Sequence, residues 1–182
     1  MVAWSPSGVD GKKATQRCKC GNYGFSSGGA GTDAAARCRC TSAEIDQYLG
    51  RVSGPLMDRI DLHVQVRALP ADALTQTKPG ESSADIRARV LEVRGRQAPR
   101  LKELGLAYNA QLRHRQLREV CKMSDEAAAL LKSAIKELAL SARAYDKILK
   151  VSRTVADLAA SDTILPEHLA EAIQYRSLDR QF

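Results

Sequence analysis

The chain has 182 residues, with 28 Lys and Arg against 21 Asp and Glu, for a formal net charge of +7. A hydrophobic share of 44% is enough for a core, so wholesale disorder is excluded, while an aromatic share of 4% and the lack of repeated alternating β patterns argue against a sandwich or barrel. No apolar run approaches the length of a membrane span, and Met1 onward lacks the apolar segment of a secretory signal, so the cytoplasm is the default address.

Residues 1–40 have loop composition, punctuated by Gly, Ser and Lys, with Ser26-Ser27-Gly28-Gly29-Ala30-Gly31 at their centre. From Thr41 the texture changes. Thr41 or Ser42 can cap a helix with Glu44 reaching back, and Ile45, Leu49 and Val52 recur at helical spacing. Gly54-Pro55 interrupts this helix, and a short turn carries Leu56-Met57-Asp58-Arg59. Asp61 to Val66 alternates, with Leu62, Val64 and Val66 on one side and His63 outward, which predicts a strand. A lone strand needs partners, and the chain offers none beyond a stub at Met1, the first sign of a fragment.

Residues 69–82 read as a linker, and 83–182 as a small helical bundle. Ile86, Val90, Val93, Leu101 and Leu104 predict a long amphipathic helix, with Pro99 placed to kink it. Asn109 can cap a short helix through Val120. Ser124 or Asp125 can cap the next, and Ser141 opens another whose inward side carries Tyr145, Ile148, Leu149, Ser152, Val155 and Ala156. Pro166 suits the first turn of a last helix through Tyr175.

Three groups of residues bear on chemistry. Cys18, Cys20, Cys38 and Cys40 form two C-x-C pairs. Four thiolates can close a tetrahedral zinc site, and the competing reading is four plain thiols in a loop. Cys121, at the apolar side of a helix end, reads as core packing. Nine basic residues between Ser83 and Arg118 face three acids, and Arg89, Arg96 and Arg100 share a helix face that could neutralise DNA phosphates or could be simply solvated. Lys12 and Lys13 fail the phosphate-loop pattern, because Pro6 stands at its first glycine and Lys13 at its hydroxyl. His63, His114 and His168 have no partner at metal or catalytic spacing. Arg59 and Arg143 stand at element ends, where an arginine can be held rigidly toward a phosphate or serve an ordinary surface pair.

Residues 51–66 (Arg51-Val-Ser-Gly-Pro-Leu-Met-Asp-Arg-Ile-Asp-Leu-His-Val to Val66) resemble the magnesium-chelatase-like AAA+ ATPases of the ComM (YifB) group. So do Ser141-Ala-Arg-Ala-Tyr-Asp-Lys to Leu158, the tail from His168 to Arg180, and the cysteine pairs. The resemblance implies a mainly α chain. A Cys-rich insertion occupies residues 1–40. The end of an α/β AAA+ core, with its last helix and strand, occupies 41–68. A helical lid occupies 83–182.

It also implies a hexameric ring that binds ATP and Mg2+ between subunits and processes DNA. In that family Arg59 matches the arginine finger and Arg143 the sensor-2 arginine, while Ser5 stands where a sensor-1 Asn is expected. Walker A and Walker B are absent from these residues, so the chain is expected to be inactive alone. The alternative is a stand-alone basic or zinc-bearing nucleic-acid-binding module, or an inactive relic.

Overall fold

The computed structural model of the chain describes residues 40–51, 53–64 and 80–176. Ser5, Cys18, Cys20, Cys38, most of the linker and the Gln65-Val66 end of the expected strand lie outside the described residues. The chain divides between Lys78 and Pro79 into two units. Among the described residues the protein is helical and has no strand.

In the first unit α1 spans Ser42–Leu49. Thr41 supplies the cap: its hydroxyl accepts from the Glu44 backbone N–H at 3.3 Å, and the Glu44 carboxylate accepts from the Thr41 N–H at 3.0 Å. Ile45 turns inward. A single helical turn, α2, spans Gly54–Met57, and Met57 is buried at its end. Asp61–Val64 does not form the expected strand. The predicted facing is reversed there, since His63 is 5% exposed and Val64 is 55% exposed. Among the described residues no strand pairs with this stretch, so no ladder imposes a period of two and local packing decides which side chain is covered.

In the second unit α3 spans Ser83–Glu103, with the Ser82 hydroxyl accepting from the Asp85 N–H at 3.2 Å. The helix continues through Pro99. A proline ring crowds the carbonyl four residues back, here that of Gly95. Only Val93, Gln97 and Leu101 are buried on α3; Ile86 and Val90 are 42% and 41% exposed, so the amphipathic face is used in the C-terminal half alone. Gly105, at φ +66°, ends the helix. Its N–H meets the Lys102 carbonyl at 3.0 Å and the Leu106 N–H meets that of Leu101 at 2.9 Å, which satisfies two orphan carbonyls of the last turn.

The helix expected from Asn109 to Val120 is two pieces. A single 3-10 turn spans Asn109–Gln111, and α4 spans His114–Val120. Leu112 between them is extended (φ −55°, ψ 131°) and only 1% exposed. Burial of that leucine, worth about 1.5–3 kcal/mol, favours the break over a continuous helix.

Ser124 caps α5 (Asp125–Glu137), Ser141 caps α6 (Ala142–Leu158), and Pro166 opens α7 (Pro166–Gln174). The Leu165 N–H donates to Nδ1 of His168 at 3.1 Å, so that histidine serves as a cap inside the fold. Met123 and Ile164 form a single parallel bridge that ties the α4–α5 joint to the α6–α7 joint. The core is one apolar cluster built around Leu101, Leu112, Leu117, Leu131, Ile148, Leu149, Ile164 and Leu169. Cys121 belongs to it, as its sequence position implies, and burial pushes its thiol up to about 11.

A polar hub lies against this core. Asp157, near the end of α6, accepts from Gln97 Nε2 at 2.9 Å, from Arg100 at 3.1 and 2.8 Å, from Asn109 Nδ2 at 2.9 Å and from Arg153 Nε at 3.0 Å. Arg153 is buried and also donates to the carbonyls of Ser161 and Asp162 beyond the helix end. Burial by itself would raise the Asp157 pKa. The hydrogen bonds from Arg100 and Asn109 and the charge of Arg153 outweigh it, and the carboxyl titrates below its ordinary range.

A lowered folded-state pKa stabilises the fold above the unfolded value, about pH 4, and that stability drains away as the pH falls through the lowered value. Removing the hub carboxylate leaves Arg100 and Arg153 without their shared acidic partner. Asp157→Ala is therefore expected to cost about 3–5 kcal/mol in urea unfolding at pH 7. The deficit relative to wild type should shrink in acid, and a constant deficit down to pH 2 would contradict the linkage.

Candidate functional site

Arg143 is the second residue of α6. The Ser141 hydroxyl accepts from the Ala144 N–H at 3.1 Å, which fixes the chain where the arginine leaves it. The remainder of α6 is anchored by Ala144, Ile148, Leu149, Ser152, Arg153, Ala156 and Asp157, all buried. Arg143 is itself exposed. A charged group thus stands exposed at the capped start of a helix anchored by seven buried residues.

Asp146, one turn further along α6, pairs with Nδ1 of His114 at 2.7 Å, and the His114 ring lies 6.4 Å from that of Tyr145. Arg59 belongs to the first unit. It follows α2 in a turn held by its own N–H on the Leu56 carbonyl at 3.0 Å, and it is exposed.

The three arginines expected to share a DNA-facing stripe occupy different surroundings. Arg89 makes a two-pronged pair with Glu81 at 2.7 and 3.0 Å. Arg96 pairs with Glu92 at 2.5 Å and donates to the Asp157 carbonyl at 3.3 Å. Arg100 is committed to the Asp157 hub. The exposed cations of this segment that meet no acid among the described residues are Arg87, Arg94, Lys102, Arg113, Arg115 and Arg118. Arg94 stacks on the exposed ring of Tyr108, with its guanidinium carbon 4.9 Å from the ring centroid. That places an aromatic beside the basic helix, where the local sequence has none.

Of the four cysteines, Cys40 is half-buried and the other three fall outside the described residues. Among the described residues no group of three or more His, Cys, Asp or Glu side chains is arranged to hold a metal ion. No helix there is long and apolar enough to cross a membrane.

The Asp157 hub was not anticipated from the sequence. Its signal was present: Arg153 and Asp157 stand four residues apart beside Leu149 and Ala156 on the inward side of one helix, a place where unpaired charges are not tolerated. Gln97 and Asn109 gave no comparable sign, because their partner is some fifty to sixty residues away, at 60 and 48 residues respectively.

Comparison with known proteins supplies the frame. Residues 80–176 match the family model described as the C-terminal part of the magnesium chelatase subunit ChlI, and residues 10–74 match that of the magnesium chelatase subunit ChlI itself. Over 143 residues, 78% of this chain, the sequence is 43% identical to the uncharacterized protein YifB of Escherichia coli (strain K12), covering 28% of that protein. It is likewise 43% identical over 143 residues to the competence protein ComM of Haemophilus influenzae, covering 27% of it. An uncharacterized protein of Mycobacterium bovis is 36% identical over 139 residues. The chain spans little more than a quarter of the length of these relatives. With both family models placed in order along it, the chain belongs to the magnesium-chelatase-like family of the ComM/YifB type, and its second unit is that family's C-terminal helical domain.

Proposed function

We propose that the chain is the C-terminal portion of a ring-forming ATPase that couples ATP hydrolysis to work on DNA. In this reading Arg143 contacts nucleotide from the helical domain, and Arg59 reaches the γ-phosphate held by a neighbouring subunit. The observation that carries it is the setting of Arg143: an exposed arginine on a capped and deeply anchored helix, inside a domain of known family. Such an arginine leaves its helix from a fixed point, which favours directed contact with a phosphate.

These residues contain no phosphate loop, so turnover needs the rest of the protein, with ATP and Mg2+ supplied at a site to which this chain adds two arginines. Hexamer formation, a cytoplasmic setting and a role in DNA processing belong to the same proposal. The printed name of the Haemophilus influenzae relative, a competence protein, supports the last of these.

In the full-length protein, Arg59→Ala is expected to lower hydrolysis by about 10³–10⁵ while ATP binding survives. Arg143→Ala is expected to weaken both binding and turnover. Steady-state ATPase rates with a separate nucleotide-binding titration check this. Wild-type turnover in the Arg59 variant would remove the finger assignment.

A second reading, a nucleic-acid-binding module working without hydrolysis, draws on the six exposed cations that meet no acid among the described residues. In either reading we assign phosphate contact to Arg87, Arg94, Lys102, Arg113, Arg115 and Arg118, ahead of Arg89, Arg96 and Arg100 with their acidic or buried partners. DNA affinity of the chain, measured against salt, should then fall steeply. Replacing Arg94 or Arg115 by Ala should reduce the slope by about one unit each, and replacing Arg89 should change it less. A slope unchanged in all three variants would contradict the assignment.

A further inference from the structure

His114 is the one histidine of the second unit whose ring faces solvent, with 60% of its side chain exposed. It is nevertheless held firmly. Asp146 fixes Nδ1 at 2.7 Å, and the Tyr145 ring flanks it at 6.4 Å with a tilt of 52°. A carboxylate on Nδ1 sets the tautomer: the hydrogen stays on Nδ1, and Nε2 points away as the free nitrogen. No donor or acceptor among the described residues meets Nε2. An exposed pair of this kind adds about 1 kcal/mol or less to stability, so folding gives little reason to orient an imidazole so closely.

Its position supplies a reason. Asp146 follows Arg143 by three residues on α6, and residues three apart are neighbours on a helix surface. The dyad therefore stands one turn from the exposed arginine. Along the chain, the basic residues within four positions of the dyad are Arg143, Lys147 and Lys150 around Asp146, and Arg113, Arg115 and Arg118 around His114. Lys150 is directed to the Ala110 carbonyl at 3.0 Å.

We propose that His114, oriented by Asp146 and Tyr145, is a second phosphate-contacting residue beside Arg143, binding the nucleotide phosphate through Nε2 when the ring is protonated. The inference rests on the reading of Arg143 as a nucleotide contact. Protonation turns Nε2 from an acceptor into a charged donor, and the imidazolium then lies between the Asp146 carboxylate and a phosphate oxygen. The grip of the helical domain on nucleotide then strengthens as the pH falls.

The test uses full-length protein and equilibrium ATP binding at pH 6 and pH 8. The quantity read is the ratio of wild-type to His114→Gln affinity, in which titration of the nucleotide itself cancels. The expected ratio is about tenfold at pH 6, the scale of one charge-assisted hydrogen bond, and close to one at pH 8. Asp146→Asn should fall between the two, with melting temperatures near wild type throughout.

A ratio of one at both values, with Arg143→Ala still impaired, overturns the inference and leaves the arginine reading intact. A variant that melts early but keeps the ratio flat shows a structural role and also overturns it. Arg143→Ala binding ATP like wild type removes both together.

Discussion

Asp157 is the residue on which the helical domain turns. Its carboxylate gathers donors from α3, from the 3-10 turn and from its own helix, and its backbone carbonyl takes Arg96 as well. A charge this deeply covered is costly to bury, and the domain offsets the cost by filling every acceptor direction with a charged or amide donor. Unlike an apolar contact, such a hub fixes register. Gln97 and Arg100 reach it only when α3 lies at one depth along α6. The apolar face of α3 could not specify that depth, since its N-terminal half is uncovered.

Arg153 extends the same constraint beyond α6. By holding the carbonyls of Ser161 and Asp162 it shapes the turn into Ile164, whose bridge to Met123 closes the other side of the domain. Ala160 takes a left-handed conformation at this corner, φ +56°, where glycine would be the easy choice. The two ends of α6 are thus both fixed, one by the Ser141 cap and one by the hub. Arg143 projects from the capped start of this anchored helix, a setting that suits the nucleotide contact proposed for it.

Much of this was legible in the sequence, because the signals were local. Ser124, Ser141 and Pro166 announce helix starts by chemistry acting within one turn, and the structure places helices there. Cys121 reads as core from its neighbours alone. The errors share a cause in distance. The break at Leu112 depends on a core that other helices build. The strand expected at Asp61 depends on partners that the described residues do not supply. The three-arginine stripe of α3 looks uniform along the sequence, yet Arg89 goes to Glu81, Arg96 to Glu92 and Arg100 to Asp157, and Tyr108 arrives beside Arg94 outside the stripe. Periodicity marks which face of a helix is charged, whereas the acid that answers one of those charges, Asp157 for Arg100, comes from 57 residues away.

The central claim is that the Asp157 carboxylate, more than apolar contact, pins α3 onto α6. Amide hydrogen exchange on the intact chain carrying Asp157→Asn tests it most directly. If the account holds, protection falls through Val93–Leu101 and the 3-10 turn while α6 and α7 keep most of theirs. If α3 remains as protected as in wild type, apolar packing alone holds it, and the hub is not the constraint on which the domain depends.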